Sequence, residues 1–213
     1  DAFKALVIND NEDAWGMNVK SFREVSGEFT LMGEETGTKF SGVTKGNIPS
    51  VRVIEDGAVR VVVEAVFEYD HSAICQHYVL PKSGSAFEVR TRVHWNEKSK
   101  MLKLSVPVAG SEHEYLGQAA YGYGELPSDG NEVVAQKWTA VVCKDNDFVM
   151  TCINDGVYGS DFTSDDGLRI SLLRSPAYSG HPIMDRIVVP QDRYLPRIDQ
   201  GERLYRFKID AGL

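Results

Sequence analysis

Residues 59–69 read Val59-Arg60-Val61-Val62-Val63-Glu64-Ala65-Val66-Phe67-Glu68-Tyr69. The odd positions are all apolar or aromatic, while Arg60, Glu64 and Glu68 fall on even ones. Successive side chains of an extended chain point to opposite faces, so this alternation predicts a strand with one buried face. The same period returns in Phe87, Val89, Val93 and Trp95, interleaved with Glu88, Arg90, Arg92 and His94. It recurs at Leu102, Leu104 and Val106, at Leu168, Ile170 and Leu172, and at Tyr205, Phe207 and Ile209. Further strands are expected over residues 3–8, 28–32, 72–80, 132–142 and 148–153.

Turn chemistry separates these runs. Glu55-Asp56-Gly57, Pro81-Lys82-Ser83-Gly84, Ser128-Asp129-Gly130 and Asp165-Asp166-Gly167 all supply residues suited to tight reversals. No stretch of a dozen residues carries a 3.6-residue period with caps; residues 17–24, the best local helical stretch, are short and contain β-branched Val19. The expectation is an all-β chain, one large antiparallel β-sandwich over 1–213 with few or no helices. The Gly-rich residues 34–46 read as a wide hairpin or mobile loop. Residues 178–197, with Pro182, Pro190 and Pro196, read as one long irregular excursion of the kind that carries function or docks on something.

Composition bounds the function. Of 213 residues, 31 are acidic and 23 basic, giving a net charge of −8, which disfavours phosphate-tracking surfaces and nucleic acid as a partner. No apolar run is long enough for a membrane span, and no charged-then-apolar leader opens the chain. A chain this long buries roughly 70% of its unfolded surface and needs no staple. Cys75, Cys143 and Cys152 are odd in number and lack C-x-x-C spacing, and no Asn-x-Ser/Thr acceptor occurs. These features point to buried thiols and a reducing, cytoplasmic setting. The start at Asp1, followed directly by Phe3, Leu6, Val7 and Ile8, is expected of a segment cut from a longer protein.

The usual chemical constellations are missing from the sequence pattern. The five histidines (His71, His77, His94, His113, His181) show no tight metal-ligand spacing, so no metal site is expected in this chain. There is no G-x-S-x-G elbow, and Tyr121-Gly122-Tyr123-Gly124 lacks dinucleotide-binding spacing. Asp10-Asn11-Glu12-Asp13, Asp145-Asn146-Asp147 and Asp161 with Asp165-Asp166 match no calcium loop and read as solvated turns. Trp15, Tyr121, Tyr123, Tyr158, Tyr178 and Tyr194, with Arg174, Arg186, Arg193 and Arg197, fall in loops. Aromatic faces and guanidinium forks suit sugar recognition; ordinary loop anchoring is the alternative.

The order of motifs resembles the carboxy-terminal β-sandwich region of glycoside hydrolase family 38, the α-mannosidases, in particular their bacterial and cytosolic branch. The residues carrying it are His94-Trp95-Asn96-Glu97-Lys98 with Met101-Leu102-Lys103-Leu104; Tyr121-Gly122-Tyr123-Gly124-Glu125-Leu126-Pro127; and Val134-Ala135-Gln136-Lys137-Trp138. Ile153-Asn154-Asp155-Gly156-Val157-Tyr158-Gly159, the Leu-Leu-Arg-Ser-Pro run ending at Pro176, and Asp199-Gln200-Gly201-Glu202 follow. Ala14-Trp15-Gly16 extends the likeness to nearly the whole chain.

The resemblance implies a supersandwich of the galactose-mutarotase-like type. It also implies an amino-terminal barrel and helical segment of the same protein as partners. Those parts would hold the aspartate nucleophile and a zinc bound by His and Asp, so this chain would contain no catalytic residue and be inactive alone. It would support the barrel, lend loops to the cleft for a mannose-containing oligosaccharide and help form a homo-oligomer. Carried over by position, Arg174 is the first cleft candidate, holding a mannose hydroxyl or a catalytic carboxylate; a structural ion pair with Asp199 or another acid is the alternative. Asn154, Asp155 and Tyr158 form a turn expected beside it, and Asp199 and Glu202 the last hairpin. Glu125 matches the family's acid, although Leu126 stands where arginine is usual.

Two rivals belong to other classes. One is a free-standing carbohydrate-binding module. The other is a mutarotase-type enzyme, for which His77, His94 and Glu97 are the candidates.

Overall fold

The computed structural model describes residues 3–10, 14–16, 19–177 and 194–212. In chain order, the described residues form β1 (Lys4–Asn9), β2 (Val25–Glu28), β3 (Thr30–Leu31), α1 (Glu34–Phe40), β4 (Val51–Asp56), β5 (Arg60–Tyr69), β6 (Ser72–Pro81), β7 (Phe87–Trp95) and β8 (Lys100–Val106). There follow β9 (His113–Ala119), β10 (Gly122–Glu125), β11 (Val133–Val134), β12 (Trp138–Cys143), β13 (Phe148–Asn154), β14 (Gly159–Thr163), β15 (Gly167–Arg174) and β16 (Gly201–Gly212). The fold is all-β and antiparallel, as the alternation requires. One sheet has six strands in the order β11-β14-β15-β8-β1-β2; the other has ten, β10-β9-β12-β13-β16-β7-β6-β5-β3, with β4 also on β5.

The inner faces close on each other along the alternating positions. Val89, Phe207 and Ile209 from the large sheet meet Leu104, Val106, Leu168 and Ile170 from the small one. A second cluster joins Ile74, Val93 and Trp95 to Ala5, Val7, Leu102 and Leu173. Polar tips inside this core are satisfied: the Trp95 indole donates to Ser175 Oγ at 3.0 Å, and Tyr115 shares a 2.6 Å bond with Ser160.

Several elements depart from the sequence reading. Residues 34–46 are not simply a hairpin or loop, because Glu34–Phe40 is helical. Glu34 and Glu35 suit its amino end, Lys39 its carboxy end, and Lys39 pairs with Glu35 one turn back. Gly37 lets this helix lie against the large sheet, since a Cβ there would stand 2.5 Å from Ser50 Oγ, just before β4, and 3.3 Å from Val66 Cγ2 on β5. Residues 132–142 are two strands in different sheets. Between them the Ala135 N–H bonds to the Tyr158 carbonyl and the Gln136 N–H to the Gln118 carbonyl, turning the chain from one sheet to the other. The strand expected over 28–32 divides into β2 and β3, and residues 19–24 are not helical. Most of the 178–197 excursion lies outside the described residues, with Tyr178, His181, Arg186 and Arg193; its ends are joined by a bridge from Ala177 to Arg197.

All three cysteines are free thiols. Burial pushes the Cys152 thiol up to about 12 and is the main cause raising Cys75 to about 11. Both are therefore expected to resist iodoacetamide at pH 8 in the native protein and to react once urea unfolds it. Mass spectrometry of the quenched samples checks this, and native alkylation of Cys152 would contradict the packed core.

Candidate functional site

Arg174 owes its position to a break in the alternation. Along β15, Leu168 and Ile170 face the core while Arg169 and Ser171 face outward. A register shift between Ser171 and Leu173 lets Leu172 and Leu173 both pack inward, and Arg174 emerges on the outer face opposite Met101. Without that bulge Arg174 would share the parity of Ile170 and point into the core. Its guanidinium makes a two-point bond to Asp10, Nε to Oδ2 at 2.8 Å and Nη2 to Oδ1 at 2.9 Å. The Phe22 ring lies 4.6 Å from the guanidinium carbon. The sequence reading left a sugar contact and an ion pair with Asp199 or another acid both open; the acid that pairs here is Asp10, which is 1% exposed.

The same guanidinium abuts the turn carrying Trp15. Gly16 has φ +65°, and a Cβ there would come within 2.8 Å of Arg174 Nη1, so this position needs glycine for both conformation and space. Trp15 itself is 61% exposed. The pair thus holds a short turn in place and leaves an indole facing solvent at the end of the small sheet.

Beside this pair, the outer face of the six-stranded sheet is polar and yet covered. Lys103, fully buried, reaches Glu132 Oε2 at 2.5 Å and also Asp161. Asp161 accepts a 2.6 Å bond from Arg23 as well, Arg23 pairs with Asp166, and Asp166 pairs with Arg169 at 2.9 Å. Burial pushes the Asp161 carboxyl up, opposed chiefly by Lys103. Three cations facing three carboxylates form a closed structural network, not an acid–base pair. This corrects the reading of Asp161 as part of a solvated turn. The alternation does not reveal it, because Phe22 packs over the outer face against Leu6, Ile8 and Met101 and close to Lys103, and strand alternation alone assigns that face to water.

Asn154, Asp155 and Tyr158 do lie in one turn. Asn154 Oδ1 accepts from the Gly156 and Val157 N–H groups at 3.1 and 2.9 Å, and its own N–H bonds to the Lys137 carbonyl. Asn154 and Asp155 border a groove of about 790 Å³ on the outer face of the large sheet, with Arg60, Phe87, Arg206 and Lys208 also lining it. Tyr158 is exposed, as are Tyr121 and Tyr123, and Tyr123 packs on Trp138 with ring centroids 6.0 Å apart. Glu125 is exposed on edge strand β10, two residues from Tyr123. Asp199 lies in the turn before β16, 3.8 Å from Arg203; the neighbouring Ile198 N–H reaches the Pro176 carbonyl, so Asp199 belongs to the Arg174 end. Of the predicted residues, the structure therefore assembles the 154–158 turn, sets Arg174 and Asp199 at one end, and puts Glu125 on a sheet edge.

Two of the mutarotase candidates have other partners. His77 bonds to Glu64 at 2.8 Å, and Glu97 is buried as the acceptor of the His71 N–H and the Ser72 hydroxyl. Among the described residues, the one group of three metal-type side chains is Glu64, Cys75 and His77. It does not fit the His and Asp zinc set that the resemblance implies.

No curated protein matches the sequence. An α-mannosidase from Enterococcus faecalis V583 superposes with a TM-score of 0.70 at 10% identity, over 99% of this chain and 26% of that one. A protein in glycosyl hydrolase family 38, also from Enterococcus faecalis, superposes at 0.71 with 10% identity and the same coverage. A putative aldose 1-epimerase from Escherichia coli K12 gives 0.44 at 10% identity, over 99% of this chain and 84% of that one. The chain thus spans about a quarter of the two structures it fits best among these. At such identity the two Enterococcus faecalis superpositions establish a shared fold. The profile of the glycosyl hydrolases family 38 C-terminal domain matches residues 11–191, most of the sequence, and the chain belongs to that family.

Proposed function

We propose that this chain is the carboxy-terminal sandwich of a retaining glycosidase acting on α-mannosides, bracing a catalytic barrel and lending its Arg174 end to the substrate cleft. The observation that carries the reading is the Arg174–Asp10 clamp, which fixes the Gly16 turn and leaves Trp15 exposed at the end where Asp199 also lies. An indole so held presents an apolar face suited to the C–H face of a hexose. Arg174 acts on this reading as a positioning residue. The nucleophile and the zinc implied by the family belong to the preceding barrel, and no chemical step is assigned to this chain. The three free thiols suit a reducing cytoplasm.

Complementation tests this. The preceding barrel and helical part, produced separately, should hydrolyse an aryl α-mannoside far faster once this chain is added, and the two should co-elute. Full activity of that part alone, or no complex on mixing, would overturn the proposal.

A second reading is favoured by Tyr121, Tyr123, Tyr158 and the Asn154 groove: a carbohydrate-binding module without a catalytic partner. Calorimetry with mannose oligosaccharides separates the two. A supporting domain binds too weakly for a resolvable heat, whereas a binding module gives a saturating isotherm that Tyr123→Ala weakens about tenfold.

A further inference from the structure

The outer face of the ten-stranded sheet carries a donor cluster that neither reading uses. Glu64 on β5 lies directly opposite His77 on β6, and Cys75, two residues along β6, shares the face. The ligand atoms of Glu64, Cys75 and His77 all fall within 4.8 Å of one another. Glu64 Oε2 is 2.8 Å from His77 Nε2, and Cys75 Sγ is 3.7 Å from the same nitrogen. One nitrogen facing both partners is not the relay of a nucleophilic triad, in which the two ring nitrogens face different groups. Three donors converging on one point is the arrangement a cation requires.

The surroundings extend the argument. Arg52 holds the other carboxylate oxygen of Glu64, Oε1, orienting the group while Oε2 stays directed at His77. Thiolate, imidazole and carboxylate together suit zinc, whereas magnesium and calcium take oxygen donors. The two anionic ligands would balance a dication, which matters with arginines close by. Cys75 and His77 also line a depression of about 220 Å³ with Arg90, Arg92, Leu204 and Arg206; Arg90 is held by Glu88 and Arg92 by Glu202, and the three guanidiniums still surround it. These six residues are register neighbours on β6, β7 and β16. Three protein ligands leave a tetrahedral ion one open position, and here it would open onto cationic side chains.

We propose that Glu64, Cys75 and His77 bind Zn²⁺, with the fourth coordination position directed into the arginine-lined depression and occupied by an anion. Binding forms a Zn–S bond and releases the thiol proton to solvent, while His77 ligates through neutral Nε2 and Glu64 through Oε2. The sequence pattern concealed the set because its members come from two strands paired across a hairpin.

Cobalt is the probe. The metal-free 213-residue chain should take up one equivalent of Co²⁺, developing a thiolate-to-cobalt charge-transfer band and the visible bands of a four-coordinate ion, both displaced by Zn²⁺. Cys75→Ala should abolish the charge-transfer band, and His77→Ala should weaken binding about 100-fold or more. Inorganic phosphate should shift the visible bands in the wild type and not in Arg206→Ala, which retains cobalt. Absence of the charge-transfer band, or its survival in Cys75→Ala, overturns the metal site; visible bands indifferent to phosphate overturn the anion position. Should a variant fail to fold, X-ray absorption of the zinc-loaded wild type decides: one sulfur with nitrogen and oxygen neighbours supports the site, and a shell without sulfur overturns it.

Discussion

Replacing Lys103 by alanine is expected to lower the unfolding free energy by about 3–5 kcal/mol, because removing one member of a buried ionic cluster leaves its partners uncompensated. Asp161 and Lys103 are both wholly buried, and Glu132 and Arg23 close the network around them. Without the ammonium, Asp161 keeps only Arg23 for charge while remaining in the same poorly solvated place. The pH dependence has a definite sign. Burial already raises the Asp161 carboxyl, with Lys103 the leading opposing influence; deleting Lys103 raises it further. A carboxyl whose folded value lies above its unfolded one destabilises progressively as pH rises through the unfolded value towards the folded one. The variant's deficit should therefore be greatest near neutrality and shrink on acidification towards the ordinary carboxylate range. Urea unfolding of both proteins at pH 7.5 and pH 5 measures it. A pH-independent deficit, or a loss below about 1 kcal/mol, would mean that water reaches Asp161 and that the cluster behaves as a surface ion pair.

The second large effect concerns the Arg174 end and rests on the proposed function. In the assembled enzyme, Trp15→Ala should raise KM for an α-mannoside about tenfold while leaving kcat and the melting temperature nearly unchanged, since a half-exposed indole contributes little to folding. Arg174→Ala should lower kcat/KM about 100-fold and also lower the melting temperature, because it removes the two-point bond to buried Asp10 and releases the turn that aims Trp15. Arg174→Lys restores the charge without the two-pronged geometry and should recover only part of both losses. If Arg174→Ala lost stability and kept its KM and kcat, the clamp would be purely structural. If Trp15→Ala left KM unchanged, this end of the sandwich would not border the cleft.

How far the site was legible depends on what each residue needs around it. Alternation at Val89, Val93 and Trp95 and at Phe207 and Ile209 correctly identified the faces that close on each other, because the period of a strand is written directly in its side chains. Position-by-position likeness singled out Arg174. Its partner Asp10 lies 164 residues away, and nothing in the local pattern announces that separation. The bulge at Leu172 was equally hidden, since Ser171-Leu172-Leu173-Arg174 is compatible with either parity until β8 supplies the register. Residues 132–142 illustrate the opposite error: a run expected as one strand is divided between two sheets, Val133–Val134 in the small one and Trp138–Cys143 in the large, because its backbone finds partners in both.

The period-two pattern, the turn residues and the spacing of short motifs by themselves determined an antiparallel all-β sandwich and its family, since these signals act between neighbours along the chain. Which polar groups meet, and which of them are buried, was decided only by tertiary structure: Lys103 with Asp161, both buried, Arg174 with buried Asp10, and the partly buried Glu64–Cys75–His77 cluster. Whether a charge lies in water or in a closed network depends on which distant strand or covering segment reaches it, and that is set by register and by what packs over the outer face.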